Sequence, residues 1–558
     1  MIPSIDPSTV GNTGLLWLLI SYGYVMFISS NYISKGLDLL LLVPSMAGLV
    51  GSCVLPLLTA IPDGAVMLFS GLGDIETAQE TLSVGVGALA GSTIFVLTLP
   101  WAASIVEGRV DIDENSGELG YKLHPKLSQT KRWRKNICFT GVELNPAIEM
   151  GGYVLLVTAF PYLLIQLPAS YLASARHEAD EELGDGESIW SLIALLLSLT
   201  GFCGYLSYQV KNSKSGKNVA MDLRREAVTQ RAVVDGMLSL SAALGQFVVE
   251  SDKWINSESC LEIHDTMSCN WSSLPTEVYN KLLHILHPIF IKYDCDPKDG
   301  MLNQREMHYL FRDMHEDISE SQINKLFHQF DMDQDGRISF EEFIHAIAFV
   351  LKKSYNKDIA HSLSLSSMSD NDMEFSRSYS HDEVEEMPKD LANKRPEKQQ
   401  AVIKSRALVM LAFGTASIIL FSEPIVAVLN EIAYRSQIPS FYISFIIVPV
   451  ISNAPEIIST RFYACKKTRK SITIALSALQ GSAVMNNTVC LSIFMGLVHF
   501  RGLAWDYSSE TMVILAVESI LAMYTRKKCL TMFDAFIIAS LFPLSAILIF
   551  LFEVLGYS

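Results

Sequence analysis

Basic charge is scarce in this sequence, with 43 lysines and arginines against 59 aspartates and glutamates and a formal net charge of −16. That balance excludes a nucleic-acid binder, which needs a basic face to neutralise phosphates. Cysteine is sparse as well, nine in 558 residues at irregular spacings, so there is neither a disulfide framework nor a zinc-ligand pattern. Cys260 and Cys269 are near enough in sequence to pair, but they read better as two unrelated cytosolic thiols. No lysine or arginine precedes Leu15. The first apolar stretch therefore lacks the basic flank of a cleavable signal peptide and reads as a retained span. No nucleophile–base set, phosphate-cradling loop or catalytic metal group is found, so an enzyme is the least expected reading.

What is present is apolar. Half of the residues are hydrophobic and the mean hydropathy is +0.28, which at a charge of −16 requires very apolar and very acidic regions in one chain. Apolar runs of about 20 residues can cross the roughly 30 Å hydrocarbon core as helices. They fall near 14–34, 38–62, 79–106, 151–173, 188–210, 405–430, 440–460, 471–499, 509–525 and 531–554. The 509–525 run is the shortest and carries Glu518. The sequence thus predicts an all-α membrane protein with a first transmembrane half over 1–210, an acidic insert over 211–404 and a second half over 405–558.

The distribution of basic residues supports this count. The loops after spans one, three, seven and nine hold Lys35; Arg109, Lys122, Lys126, Lys131, Arg132, Arg134 and Lys135; Arg461, Lys466, Lys467, Arg469 and Lys470; and Arg526, Lys527 and Lys528. The alternate loops hold only Arg176, Arg435 and Arg501. By the positive-inside rule the first set, and the insert with it, is cytosolic. Five spans per half is odd, so the second half enters the bilayer inverted, the topology of secondary transporters with a site near the midplane.

A motif recurs in the two halves. Span two ends Pro56-Leu-Leu-Thr59-Ala60-Ile-Pro62-Asp63 and span seven ends Pro449-Val-Ile-Ser452-Asn453-Ala-Pro455-Glu456. The next spans carry Ala88-Leu-Ala-Gly91-Ser92 and Ala478-Leu-Gln-Gly481-Ser482. Proline breaks helical hydrogen bonding, and carbonyls freed at membrane depth need protein, cavity water or a cation. A carboxylate there costs roughly 2.5–3.5 kcal/mol on insertion scales and normally faces an ion path. Asp63 and Glu456, with oxygens from Thr59, Ser92, Ser452, Asn453, Ser482 and Asn486, suit Ca²⁺, which prefers six to eight oxygen ligands. Two carboxylates neutralise one Ca²⁺, or hold Na⁺ or protons in its place. Glu423, Glu518, Asp534 and Glu553 lack counterparts in the repeat and are assigned to span ends or packing.

The insert carries an EF-hand pair, expected over 285–352. Asp331, Asp333, Asp335, Gly336, Arg337 and Glu342 fill the loop positions that bind Ca²⁺ through carboxylates and one carbonyl, with glycine at the turn. An earlier loop, Asp294-Cys-Asp296-Pro-Lys-Asp299-Gly300-Met301 with Glu306, has one extra residue between Asp296 and Asp299 and is expected to bind more weakly or to act as a structural mate. Residues 211–250 suggest an amphipathic helix linking the pair to the membrane. The Ser-, Asp- and Glu-rich stretch 354–400 is expected to be disordered.

These motifs resemble the two repeats of the cation/Ca²⁺ exchanger superfamily. The insert makes the chain similar to the plant sodium/calcium exchanger-like (NCL) proteins over most of its length. The resemblance implies a ten-helix inverted-repeat fold in which Asp63 and Glu456 are the central carboxylates. It also implies Thr59, Ser92, Ser452, Asn453 and Ser482 as neighbouring ligands and Asn486 as the second-repeat amide. There are departures. Asp63 stands where many exchangers have Glu, Val96 supplies no oxygen opposite Asn486, and Ala60 replaces a common hydroxyl. Proton-coupled relatives usually show Gly-Asn-Ala-x-Glu, absent here, which favours Na⁺ over H⁺. The expectation is Ca²⁺ antiport out of the cytosol, across the plasma or vacuolar membrane, regulated by Ca²⁺ on the EF-hands. A cation/H⁺ exchanger and a non-transporting membrane Ca²⁺ sensor are the alternatives.

Overall fold

The computed structural model describes residues 5–43, 50–112, 119–121, 139–176, 184–214, 276–294, 298–313, 320–351, 396–503 and 507–555, with isolated positions between them. Cys260, Cys269, Asp296, residues 354–395 and most of 211–250 lie outside the described residues. The chain divides into two compact units. The first comprises Met1–Asp38, Gly48–Leu223 and Ala407–Ser558; the second comprises Leu39–Ala47 and Arg224–Arg406.

In chain order the helices are α1 (Asn12–Leu41), α2 (Leu55–Thr59), α3 (Ile61–Ser70), α4 (Ile75–Gly108), α5 (Pro146–Arg176), α6 (Gly184–Lys214), α7 (Thr276–Tyr293), α8 (Gln304–Asp313), α9 (Glu320–Phe330) and α10 (340–351). They continue as α11 (Pro396–Ser436), α12 (Ser440–Ser452), α13 (Ala454–Ala464), α14 (Arg469–Met485), α15 (Leu491–Arg501), α16 (Ser508–Tyr524) and α17 (Met532–Val554). Seven helices among the described residues are long and apolar enough to cross a bilayer, or eight if α12 and α13, bent by 54°, are counted as one broken span. Two expectations shift. Helix α1 runs through 35–41, where a loop and the start of the second span were predicted; Gly36 lets α11 approach there, since an added Cβ would come within 3.0–3.1 Å of the Leu411 side chain and the Ala407 carbonyl. Residues 396–400, expected to be disordered, begin α11.

Helix α4 is the centre of the first unit. Its apolar window is 89% buried and it packs against α3, α12, α13, α14, α16 and α17. It is apolar on all sides, as a helix enclosed by others must be; Ala88, Ile94 and Trp101 are wholly buried. The outer helices α1, α6 and α17 are each only 28% buried over their apolar windows and expose Trp17, Ile20, Leu196 and Phe550. Such broad apolar exposure suits a lipid surround. A three-stranded antiparallel sheet, β1 (Val110–Asp111), β2 (Thr140–Glu143) and β3 (Cys529–Thr531), ties the end of α4 to the start of α17.

Small residues bring α4 onto α12. A Cβ at Gly87 or Gly91 would collide with the backbone carbonyl of Phe441 or Phe445 respectively, and neither can retreat as a side chain would. Gly481, the counterpart of Gly91 in the repeat, leaves room: an added Cβ meets only the Tyr205 hydroxyl at 3.5 Å. Gly91→Ala should therefore destabilise the protein by roughly 1–3 kcal/mol, the usual cost of overpacking. Gly481→Ala should be close to neutral. Thermal unfolding of the two detergent-purified variants checks this, and equal midpoints would contradict the close α4–α12 approach.

The second unit is built on one apolar cluster around Leu282, Phe290, Leu310, Phe311, Phe330, Phe343 and Ile347. Helices α7 to α10 are paired by a β-bridge in which Leu302 and Ile338 exchange hydrogen bonds of 2.9 and 2.8 Å. Leu42 and Val43, just beyond α1, are 6% and 4% exposed and belong to the same cluster, as do Ala232 and Leu244. Burial pushes the His345 imidazole on α10 below its ordinary range.

Candidate functional site

The two acids of the repeat occupy equivalent local positions. Helix α2 stops at Thr59 and α3 starts at Ile61; α12 stops at Ser452 and α13 starts at Ala454. In each case proline is the second residue of the new helix, Pro62 or Pro455, and the acid is the third. A proline there removes an N–H that has no intrahelical acceptor, so it starts the helix rather than kinking it. The breaks fall at Ala60 and Asn453. Asp63 and Glu456 thus sit in first turns, where the helix dipole favours negative charge.

Around Asp63 the structure gathers oxygens from both halves of the sequence. Asp63 is 4% exposed, and its carboxylate interacts with the side chains of Ser452, Ser92, Asn486 and Asn453. Asn453 Nδ2 donates to Ser92 Oγ at 3.2 Å and to Ser452 Oγ at 3.0 Å; the two hydroxyls lie 3.5 Å apart. Asp63 Oδ1 and Asn486 Nδ2 are buried without a hydrogen-bond partner among the described residues. A buried carboxylate oxygen left unpaired is costly, and a cation bound beside Asp63 would offset that cost. Ser92 sits on α4, and Asn486 opens a π-helical turn, Asn486–Cys490, that follows α14. Such turns recur at functional sites.

The remaining candidates flank these residues in sequence. Glu456 lies one turn beyond Asn453, whose carbonyl accepts from Ile457 N at 3.1 Å, and is half-buried. Ser482 is buried one turn before Asn486. The Thr59 hydroxyl is bonded back to the Pro56 carbonyl at 2.9 Å, so its hydrogen is spent within its own helix.

In the insert, ligand atoms of Asp331, Asp333 and Asp335 lie within 4.8 Å of one another. Asp331 Oδ1 is buried without a hydrogen-bond partner among the described residues. Gly336 (φ 77°) donates its N–H to Asp331 Oδ2 at 3.0 Å, Arg337 N donates to Asp335 Oδ1 at 2.7 Å, and Glu342 Oε2 accepts from Ser339 N at 2.8 Å. Three converging carboxylates, with Glu342 at the loop end and the Arg337 carbonyl, fit Ca²⁺. The earlier loop repeats the scaffold despite its extra residue. Gly300 (φ 80°) donates to Asp294 Oδ2 at 2.9 Å, Met301 N to Asp299 Oδ1 at 3.0 Å, and Asn303 N to Glu306 Oε2 at 2.8 Å. Asp299 Oδ2 is ion-paired with Arg337 of the other loop, which sets its carboxylate in competition with any bound ion.

Residues 406–551 match the family described as sodium/calcium exchanger protein, and residues 286–348 match an EF-hand domain pair. The sodium/calcium exchanger NCL2 of Oryza sativa subsp. japonica is 26% identical over 555 residues, covering 98% of this chain and 87% of that protein. NCL1 of the same organism is 27% identical over 563 residues, covering 99% and 87%. Over almost its whole length this chain is similar to sodium/calcium exchangers of the NCL type. The sodium/calcium exchanger NCL of Arabidopsis thaliana is 27% identical over 565 residues, covering 98% and 86%. A solved H⁺/Ca²⁺ exchanger, CAX, overlays the exchanger with a TM-score of 0.39 at 11% identity, over 96% of this chain and 86% of that one, too loosely to carry an argument.

The unrepeated acids of the exchanger separate into two kinds. Asp534 caps α17, accepting from Thr531 N at 2.8 Å and pairing with Lys527 at 2.7 Å. Glu553 accepts from the Tyr442 hydroxyl at 2.6 Å. Both are structural. Glu518 is not of this kind: it is wholly buried on α16, and among the described residues it accepts one hydrogen bond, from the Asn487 amide at 2.7 Å. Nothing in the spacing of the repeat marks it, since neither half offers a matching acid.

Proposed function

We propose that this protein is a secondary active Ca²⁺ antiporter that moves Ca²⁺ out of the cytosol against Na⁺, and that its EF-hands tune the exchange. The observation that carries the reading is the buried, incompletely bonded Asp63 carboxylate among Ser92, Ser452, Asn453 and Asn486, drawn from two distant stretches of sequence. A structural carboxylate would be fully hydrogen-bonded. Its access from alternate sides would follow from ten spans in two inverted halves. Seven long apolar helices, the bent α12–α13 pair, the broken stretch 50–70 and the 17-residue α16 are consistent with that count. Na⁺ is favoured as counter-ion by the missing Gly-Asn-Ala-x-Glu pattern and by the names of the relatives. The plasma and vacuolar membranes both suit a cytosolic insert.

Regulation has a physical route. The EF-hand core includes Leu42 and Val43, and the chain runs on from them directly into the stretch that bears Asp63. Ca²⁺ binding to sensor EF-hands changes the angle between their helices. A change of that kind around Leu42 and Val43 would bias the transport cycle, provided that Ca²⁺ affinity differs between the two states.

Flux into proteoliposomes holding the purified full chain tests the function. Ca²⁺ uptake should follow an imposed Na⁺ gradient, and Glu456→Gln should remove it. Uptake driven by a pH gradient alone would make H⁺ the counter-ion. Wild-type flux in Glu456→Gln would remove Glu456 from the ion site, and absence of Ca²⁺ flux under either gradient would leave a non-transporting membrane Ca²⁺ sensor as the better reading.

A further inference from the structure

Asn486 and Asn487 are consecutive in the π-helical turn after α14, and they serve different surroundings. Asn486 faces Asp63. Asn487 donates Nδ2 to Glu518 Oε1 at 2.7 Å, and both residues are 0% exposed. That bond leaves Glu518 Oε2 and Asn487 Oδ1 buried with no hydrogen-bond partner among the described residues. Tyr162 on α5, 1% exposed, has a hydroxyl in the same condition and lies within electrostatic reach of Glu518. Helix α5 packs against both α16 and the π-helical turn, so the three side chains share one interior region of the first unit.

Three incompletely bonded oxygens in one region are a donor set. Glu518 contributes one negative charge, Asn487 a carbonyl oxygen and Tyr162 a phenolic oxygen. Among the described residues no lysine or arginine is ion-paired with Glu518. A buried charge without a partner is strongly disfavoured. A single proton on Glu518 would answer one oxygen, whereas a metal cation answers all three together. The charge decides its class. One carboxylate balances one positive charge, and a set this small is far from the six to eight oxygens that Ca²⁺ prefers.

From this arrangement we infer that Glu518, Asn487 and Tyr162 form a second cation site, selective for a monovalent ion such as Na⁺ and joined to the Asp63 site by the shared turn at Asn486 and Asn487. A cation that draws in the Asn487 side chain repositions the residue next to it, and so alters the amide that faces Asp63. Its role as a counter-ion site rests on the antiport reading. Its existence as a Na⁺ site does not.

Na⁺-dependent thermal stabilisation of the purified full chain tests it, because a ligand that binds only the folded state raises the unfolding midpoint. NaCl is titrated against choline chloride at constant ionic strength. The background carries Asp63→Asn and Glu456→Gln, so that the first site contributes nothing. Na⁺ should still raise the midpoint in this background, and adding Glu518→Gln should abolish the rise. Tyr162→Phe, which removes only a hydroxyl and keeps the ring in place, should raise the half-saturating Na⁺ by about threefold to tenfold, the range for one lost polar contact of roughly 1 kcal/mol. Unchanged half-saturation in Tyr162→Phe, undiminished stabilisation with Glu518→Gln, or stabilisation that follows pH and ignores Na⁺ would each overturn the site. Should Na⁺ stabilise as described while the wild type transports no Ca²⁺, the site stands and the antiport reading falls.

Discussion

Asp63→Asn is expected to reduce Ca²⁺ flux by two orders of magnitude or more. The substitution keeps the size of the side chain, one oxygen acceptor and the first-turn position on α3, so packing around Pro62 and Gly64 is preserved. What it removes is charge. Two unit charges about 4 Å apart at an effective dielectric of about 20 interact by roughly 4 kcal/mol, on the order of a thousandfold in binding, and a divalent ion loses more. The neutral groups set the scale for comparison. Ser92→Ala deletes one hydroxyl that already accepts from Asn453 Nδ2, so its cost is that of one hydrogen bond, about 1 kcal/mol, and flux should fall only about fivefold. The measurement is initial ⁴⁵Ca²⁺ uptake into proteoliposomes at matched protein content. If Asp63→Asn and Ser92→Ala lost similar amounts, Asp63 would be a structural acid and the ion site would have to be sought elsewhere.

The difference between these two expectations reflects how the site is written in the sequence. The Pro-x₅-Pro-acid pattern was legible because helix breaking and buried charge are local chemistry at fixed spacing, and the repeated order ties two such elements together. The EF-hand loop was legible for the same reason: Asp331, Asp333, Asp335 and Glu342 carry ligand positions that no other local structure requires. Engagement of individual side chains was not legible. Thr59 is one turn from Asp63 in sequence, yet its hydroxyl is bonded within its own helix to Pro56. Whether a hydroxyl turns back or outward depends on the rotamer its neighbours permit, which spacing does not encode. Glu518 was hidden for another reason. Its hydrogen-bond partner Asn487 and its electrostatic neighbour Tyr162 come from other helices, 31 and 356 residues away along the chain, so only packing brings them together. Helix ends were not legible either: α1 runs six residues past the expected turn, and the room Gly36 leaves for Ala407 and Leu411 appears only in the packed structure.

Regulation by the insert gives the second large expected effect, on Ca²⁺ sensitivity rather than maximal rate. Glu342 closes the second EF-hand loop; its Oε1 accepts from Met332 N at 2.9 Å and its Oε2 from Ser339 N and Oγ at 2.8 Å each. Glu342→Gln keeps the size and one acceptor oxygen, replaces the other acceptor by an NH₂ and deletes one of the four charges, and the span of EF-hand affinities is set largely by ligand charge and rigidity. Loop affinity should fall by about 10- to 100-fold on that scale, and the cytosolic Ca²⁺ that half-activates flux should rise by the same factor. Maximal flux should stay close to wild type, because Asp63 and Glu456 are untouched. Val43→Asp probes the other end of the route. A charge in a position 4% exposed within the EF-hand core should uncouple the insert, making flux independent of the EF-hands, so that adding Glu342→Gln to it changes nothing further. This non-additivity is what distinguishes a sensor acting through Leu42 and Val43 from a Ca²⁺ buffer that happens to be tethered beside the transporter. Two independent, additive effects would sever the link between the EF-hands and the chain that leads to Asp63.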